Sequence, residues 1–75
     1  MGTTKQRKEH IEWIENMLKQ GFAHRKIIIK DALLALFAYK NFSTERTGLQ
    51  ILKMLQKLGT IEINGNDIYK GEKWK

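Results

Sequence analysis

The 75-residue chain carries 14 Lys and Arg against 8 Asp and Glu, for a formal net charge of +6, and it contains neither cysteine nor proline. The lack of cysteine excludes a disulfide framework, a cysteine nucleophile and any thiolate metal site. A chain of this length is expected to form one domain, residues 1–75, and its basic balance favours a polyanionic partner, nucleic acid before a membrane surface. No segment approaches the ~20 apolar residues of a membrane span, and we expect a cytoplasmic protein without a membrane partner.

The first predicted element is a helix over about residues 4–20. Its apolar residues recur every three or four positions, as on one face of an amphipathic helix: Ile11, Ile14, Met17 and Leu18. Gly21 is expected to end this helix, because glycine is favoured just beyond a last helical turn.

A short strand and a second helix are predicted next, over about residues 27–29 and about residues 31–40. The strand is a run of three isoleucines, which is β-branched and too short for a helix. Asp31 is expected to cap the second helix at its N-terminus. The apolar residues of that helix point in nearly every direction: Leu33, Leu34, Leu36, Phe37 and Tyr39. Such a helix is buried on several sides or offers one face to a partner.

The third helix is predicted over about residues 43–58, with Ser43 as its N-cap. At 100° per residue its core face comprises Gly48, Ile51, Leu52, Leu55 and Leu58. Glycine inside a helix costs about 1 kcal/mol relative to alanine, so Gly48 predicts close approach of the second helix. That helix offers a strip of small residues: Ala32, Ala35 and Ala38.

A hairpin over about residues 60–70 and a tail, residues 71–75, complete the chain. Alternating isoleucines flank a turn from Asn64 to Asp67, which predicts that Ile63 faces Ile68 across the strands. The same register places Glu62 opposite Tyr69.

The order helix, short strand, helix, helix and hairpin resembles the winged helix-turn-helix family. The segment that carries most of the resemblance is Ser43 to Lys70, a helix followed by Leu-Gly-Thr-Ile and a hairpin with glycine at its tip. The resemblance implies a mainly α fold with a small β-hairpin (α+β), in which the third helix reads DNA and the hairpin is the wing.

The exposed side of the third helix is predicted to bind duplex DNA. Its residues fall within about 60° of one another and include no acid: Arg46, Gln50, Lys53 and Lys57. Arginine and glutamine can each bond two base-edge atoms in the major groove, while lysine binds phosphate. Thr44 and Thr47, in the first turn, could add contacts through their hydroxyls.

Two further groups of residues are candidates for contacts outside this helix. Basic residues that could hold phosphates on its flank are Arg25, Lys26, Lys30, Lys70 and Lys73. Aromatic residues that could form a partner surface are Trp13, Phe22 and Trp74. The wing tip carries Asn and Asp in place of Arg or Lys, so we expect the hairpin to cover the core without entering a minor groove.

The sequence therefore predicts a small DNA-binding protein, a transcriptional regulator that reads duplex DNA and acts as a dimer. One alternative is an accessory subunit that docks on a larger replication or DNA-processing enzyme, such as a polymerase, primase or helicase. Another is a winged helix used only for protein–protein interaction. We expect no enzyme activity, cofactor or metal, because His10 and His24 have no partner residues at catalytic or metal-ligand spacing.

Overall fold

A computed structural model of the chain describes residues 4–74, and the side chains of residues 6–74. Residues 1–3 and Lys75, which the predicted domain and tail include, lie outside this described part. The described residues form three helices and three strands: α1 (Thr4–His24), β1 (Ile28–Ile29), α2 (Lys30–Asn41), α3 (Glu45–Lys57), β2 (Ile61–Asn64) and β3 (Asp67–Lys70). This element order confirms the predicted winged-helix-like α+β architecture.

The three strands form one antiparallel sheet in the order β1-β3-β2. The predicted hairpin register is confirmed, with Ile63 opposite Ile68 and Glu62 opposite Tyr69. Strands β2 and β3 are joined by a two-residue turn. Its first residue, Gly65, has a φ of +63°, a conformation that favours glycine. Pairing of β1 with β3 joins the middle of the chain to the hairpin.

The core lies between the helices and the inner face of the hairpin, and every helix contributes to it. Its buried apolar residues are Ile14, Leu18, Phe22, Leu33, Leu34, Phe37, Ile51, Leu52, Leu55, Ile61 and Ile68. Among the described residues no helix has the length and apolar character needed to cross a lipid bilayer.

Helix α1 extends beyond its predicted end, because Phe22 is buried and draws the last turn against the core. The helix ends at His24, and the Gly21 carbonyl still accepts a hydrogen bond from the Arg25 N–H at 2.9 Å. Gly21 therefore lies inside the helix, and the prediction that it ends α1 is wrong. It permits close approach of β1, since a Cβ at this position would lie 2.6 Å from Ile28 Cδ1.

Helix α2 begins one residue earlier than predicted and is not capped by Asp31, which lies in its first turn. The N-cap position is occupied by Ile29, whose side chain cannot accept a hydrogen bond. The missing acceptors come from the hairpin turn. The Lys30 N–H donates to the Asn66 carbonyl at 2.8 Å, and the Asp31 N–H donates to Asn66 Oδ1 at 2.9 Å.

Helix α2 ends in a left-handed residue that is not glycine. Phe42 has φ 50° and ψ 44°, and its side chain is 98% exposed. The Ala38 carbonyl accepts hydrogen bonds from the N–H groups of Phe42 and Ser43, which terminates the helix in the usual left-handed manner. Tyr39, one turn earlier, is 76% exposed, so only part of the apolar surface of α2 is covered.

Candidate nucleic-acid interface

Helix α3 separates a buried face from a charged face. The buried residues are Gly48, Ile51, Leu52 and Leu55, as predicted. The prediction that Leu58 belongs to the core face is wrong, because α3 ends at Lys57 and the Leu58 side chain is 58% exposed. The helix is thus fixed to the core by its first three turns, and its last two residues, Gln56 and Lys57, are exposed.

The opposite face of α3 is exposed along its whole length. All four residues predicted for DNA contact are solvent-accessible there: Arg46, Gln50, Lys53 and Lys57. From Arg46 to Lys57 the helix rises about 16 Å, at about 1.5 Å per residue. This surface, which we call the basic stripe, carries three positive charges and one amide without an intervening acid. The acidic residue of α3, Glu45, lies in the first turn and about 100° away from Arg46 on the helical wheel.

The N-terminus of α3 is capped by Thr44, one residue after the predicted Ser43. Thr44 Oγ1 accepts a hydrogen bond from the Thr47 N–H at 3.2 Å and lies 3.1 Å from Thr47 Oγ1. A bond between the two hydroxyls consumes one of their two O–H donors. One O–H therefore remains to donate to a phosphate, while the pair also stabilises the end of the helix that carries Arg46.

Gly48 sets the separation between α3 and α2. A Cβ at Gly48 would lie 2.8 Å from Phe37 Cδ2 and 2.9 Å from Leu34 Cδ2. The predicted close approach is therefore confirmed, but the side chains nearest Gly48 are those of Phe37 and Leu34 instead of the predicted alanines. Ala32 and Ala35 are exposed because α2 turns its larger side chains toward the core.

The wing tip is directed at the start of α2, where Asn66 supplies both backbone and side-chain acceptors. These bonds hold the turn against the domain. Glu62 and Asn64 are exposed on the hairpin, and neither carries positive charge. This arrangement agrees with a hairpin that covers the core and adds no cation of its own to the basic stripe.

The predicted flanking cations separate into different regions. Lys73 is exposed and its aliphatic stem lies over Gly59, just beyond the C-terminal end of α3. Lys70 Nζ lies 6.0 Å from the ring centroid of Phe22, at the C-terminal part of α1. Arg25 borders a groove formed by α1, β1 and α2 to which α3 contributes no residue. Of these three side chains, Lys73 is the one that lies beside the residues following α3.

Lys26 and Lys30 follow Arg25 along the chain. Lys26 is exposed in the connection between α1 and β1, whereas Lys30 is half-buried as the first residue of α2. Their charges accordingly lie in the connection between α1 and α2.

The three predicted partner-surface aromatics pack within the domain. Phe22 is 6% exposed, so its assignment to a partner surface is wrong. Trp74 packs edge-on against Phe22 at 5.0 Å between ring centroids, and Trp13 packs against Phe37 at 5.8 Å. Both tryptophans are half-buried, and their principal contacts are with the core. Of the strongly exposed aromatics, Tyr39 belongs to the apolar helix predicted to be buried or to offer a face to a partner, whereas Phe42 is not among the predicted surface residues.

The described residues include no group of three or more His, Cys, Asp or Glu side chains that could hold a metal ion. His10 packs edge-on against Phe37, with 5.2 Å between ring centroids, while His24 is exposed at the end of α1. Comparison of the chain with protein-family models, with curated proteins and with solved structures found no significant match.

Proposed function

We propose that this protein binds duplex DNA through the basic stripe of α3 and acts as a small transcriptional regulator. The observation that carries the proposal is the stripe itself, an exposed face about 16 Å long with no acid, opposite a face that fixes the helix to the core. An α-helix fits the major groove, and a face of this length spans about four or five base pairs. The role is one of binding, without catalysis, in the cytoplasm.

The residues of the stripe divide into base readers and phosphate binders. Arg46, near the capped N-terminus, can donate two hydrogen bonds to guanine O6 and N7, and Gln50 can pair with adenine N6 and N7. Lys53 and Lys57, nearer the C-terminus, would neutralise phosphates. Lys73, beside the end of α3, extends the positive charge beyond the helix.

A fluorescence-anisotropy titration with labelled duplex at about 50 and 200 mM salt tests this proposal. Release of three to five counterions would weaken binding about 60- to 1,000-fold between these concentrations, because the salt concentration changes fourfold. Lys53→Ala should weaken all sequences alike and reduce the salt slope by about one, whereas Arg46→Ala should cost about 1–3 kcal/mol and relax selectivity at one base.

Matched controls lie on the exposed N-terminal part of α1, where Lys8→Ala and Arg7→Ala remove the same charges outside α3. If these variants weaken binding as much as the α3 variants do, net charge alone attracts the DNA and the stripe is not the interface. Absence of binding at the lower salt concentration would refute the proposal.

A second candidate, an accessory subunit that holds single-stranded nucleic acid, is favoured by one observation. Tyr39 and Phe42 are exposed aromatic rings just before the capped end of α3, and aromatic rings stack on unpaired bases. Replacing the duplex by a single strand in the same titration separates the two. Tighter binding of the single strand than of the duplex, if the Phe42→Ala variant loses it, would favour the accessory role. If the duplex sequence that the protein prefers is dyad-symmetric, a dimeric regulator is favoured.

A further inference from the structure

A groove with a volume of about 510 Å³ lies between the C-terminal part of α1, β1 and the N-terminal half of α2. Its walls are mostly apolar and are formed by Met17, Ile28, Ile29, Leu33 and Leu36. Helix α3 contributes no lining residue, so this groove and the basic stripe share no residue.

The domain leaves apolar surface exposed at this groove. Both isoleucines of β1 line the groove: Ile28 is half-buried and approaches Gly21 closely, whereas Ile29 is 43% exposed. Ala32, in the first turn of α2, is exposed on the same lining. An apolar side chain from another molecule could therefore be buried here without displacing any element of the core.

The charge at the rim indicates the chemistry of the occupant. Of the residues that line the groove, His24 and Arg25 are the ionisable ones, and none is a carboxylate. Lys26, adjacent to Arg25, is exposed. A second copy of this chain would bring its own net charge of +6 to the rim and is disfavoured. Nucleic acid is disfavoured because its phosphates would pair with Arg25 at the rim and leave the apolar walls unfilled.

We propose that the groove binds a short segment of a different protein, one that presents two large apolar side chains next to Asp or Glu. The apolar side chains would occupy the space beside Ile29 and Leu33, and a carboxylate would pair with the Arg25 guanidinium. This proposal does not depend on the proposed DNA binding, since the two surfaces share no residue. It gives Arg25 a role in protein recognition in place of the phosphate contact expected from the sequence.

The test is an NMR titration of the ¹⁵N-labelled full chain with a synthetic peptide of about nine residues, blocked at both ends, that alternates Leu and Phe with Asp and Glu. Two matched peptides test separately the contribution of the acidic residues and that of the apolar residues. In one, Asn and Gln replace the acids, and in the other, Ser replaces the apolar residues. We expect shifts of the amides of Gly21, Ile29 and Ala32 with the first peptide, and a loss of at least tenfold in affinity with the Ser peptide.

Variants of the protein separate groove binding from general attraction. Arg25→Ala should weaken binding of the acidic peptide about two- to fivefold, as expected for a rim charge, and leave the neutral peptide unaffected. Ile29→Ser removes apolar wall at a position where serine is a favoured helix cap, so this variant should fold and bind at least tenfold more weakly. Arg7→Ala, at the other end of α1, is the control and should bind like the wild type.

Three results would overturn the proposal. The first is an absence of shifts at the groove amides at millimolar peptide. The second is equal weakening by Arg7→Ala and Arg25→Ala, which would indicate attraction by net charge. The third is equal binding of the acidic and neutral peptides. Because the readout is the set of shifted amides, the result is independent of whether the chain binds DNA.

Discussion

Replacing Phe42 by glycine should make this domain more stable. Phe42 has φ 50° and ψ 44°, a left-handed conformation that costs an ordinary residue about 1–2 kcal/mol and glycine almost nothing. Its side chain is 98% exposed, so removing the ring sacrifices little burial. Glycine also has more conformational freedom than phenylalanine in the unfolded chain, which lowers the gain in the free energy of unfolding by about 0.4–1 kcal/mol. The expected net increase in the free energy of unfolding is about 0.5–1 kcal/mol.

Urea denaturation measures this change as a shift of the midpoint at constant slope. In a thermal melt the same change corresponds to a rise of about 2–8 °C in Tm for a domain of this size. Phe42→Ala is the matched control, because it removes the ring but keeps the Cβ, and it should alter the free energy by less than about 0.5 kcal/mol. A glycine variant no more stable than the wild type would refute the left-handed assignment. An alanine variant destabilised by more than about 1 kcal/mol would show that the ring packs on the domain.

Three further substitutions, followed by urea denaturation, test the packing. Gly48→Ala should destabilise by about 1–2 kcal/mol, because its Cβ would lie 2.8 Å from a Phe37 ring carbon and overpacking outweighs the gain in helix propensity. Asn66→Ala should cost about 1 kcal/mol and speed amide exchange at Asp31, while Asn66→Asp should retain the cap. Gly71→Ala should cost at least about 2 kcal/mol, since its Cβ would collide with backbone atoms of Gly59, Thr60 and Ile61. Stability near that of the wild type would place the tail elsewhere.

The features that the sequence predicts correctly are those set by local spacing. In α3, residues three and four apart share a face, so Ile51 and Leu55 are buried while Arg46 and Lys53 are exposed. The hairpin register likewise follows from alternation about a glycine turn. The exposure of the basic stripe could therefore be predicted without any knowledge of the tertiary structure.

The features that the sequence does not predict depend on contacts between distant segments. Helix α1 continues past Gly21 because Phe22 is buried in the core, where Trp74 of the C-terminal tail packs against the Phe22 ring. Helix α2 begins without a cap of its own, since the acceptor arrives from Asn66. The groove beside Ile29 is formed by three elements, and no spacing within one of them indicates it.

The Asn66 cap also has a consequence for the order in which the chain can fold. Its bond to the Asp31 N–H joins residues 35 positions apart, so the first turn of α2 acquires its acceptors only after the hairpin has closed and docked. Until then that turn should fray, although α3 can already pack on the rest of α2. The amides of Lys30 and Asp31 therefore serve as natural reporters of hairpin opening, and their exchange rates measure the cooperativity between the two halves of the domain.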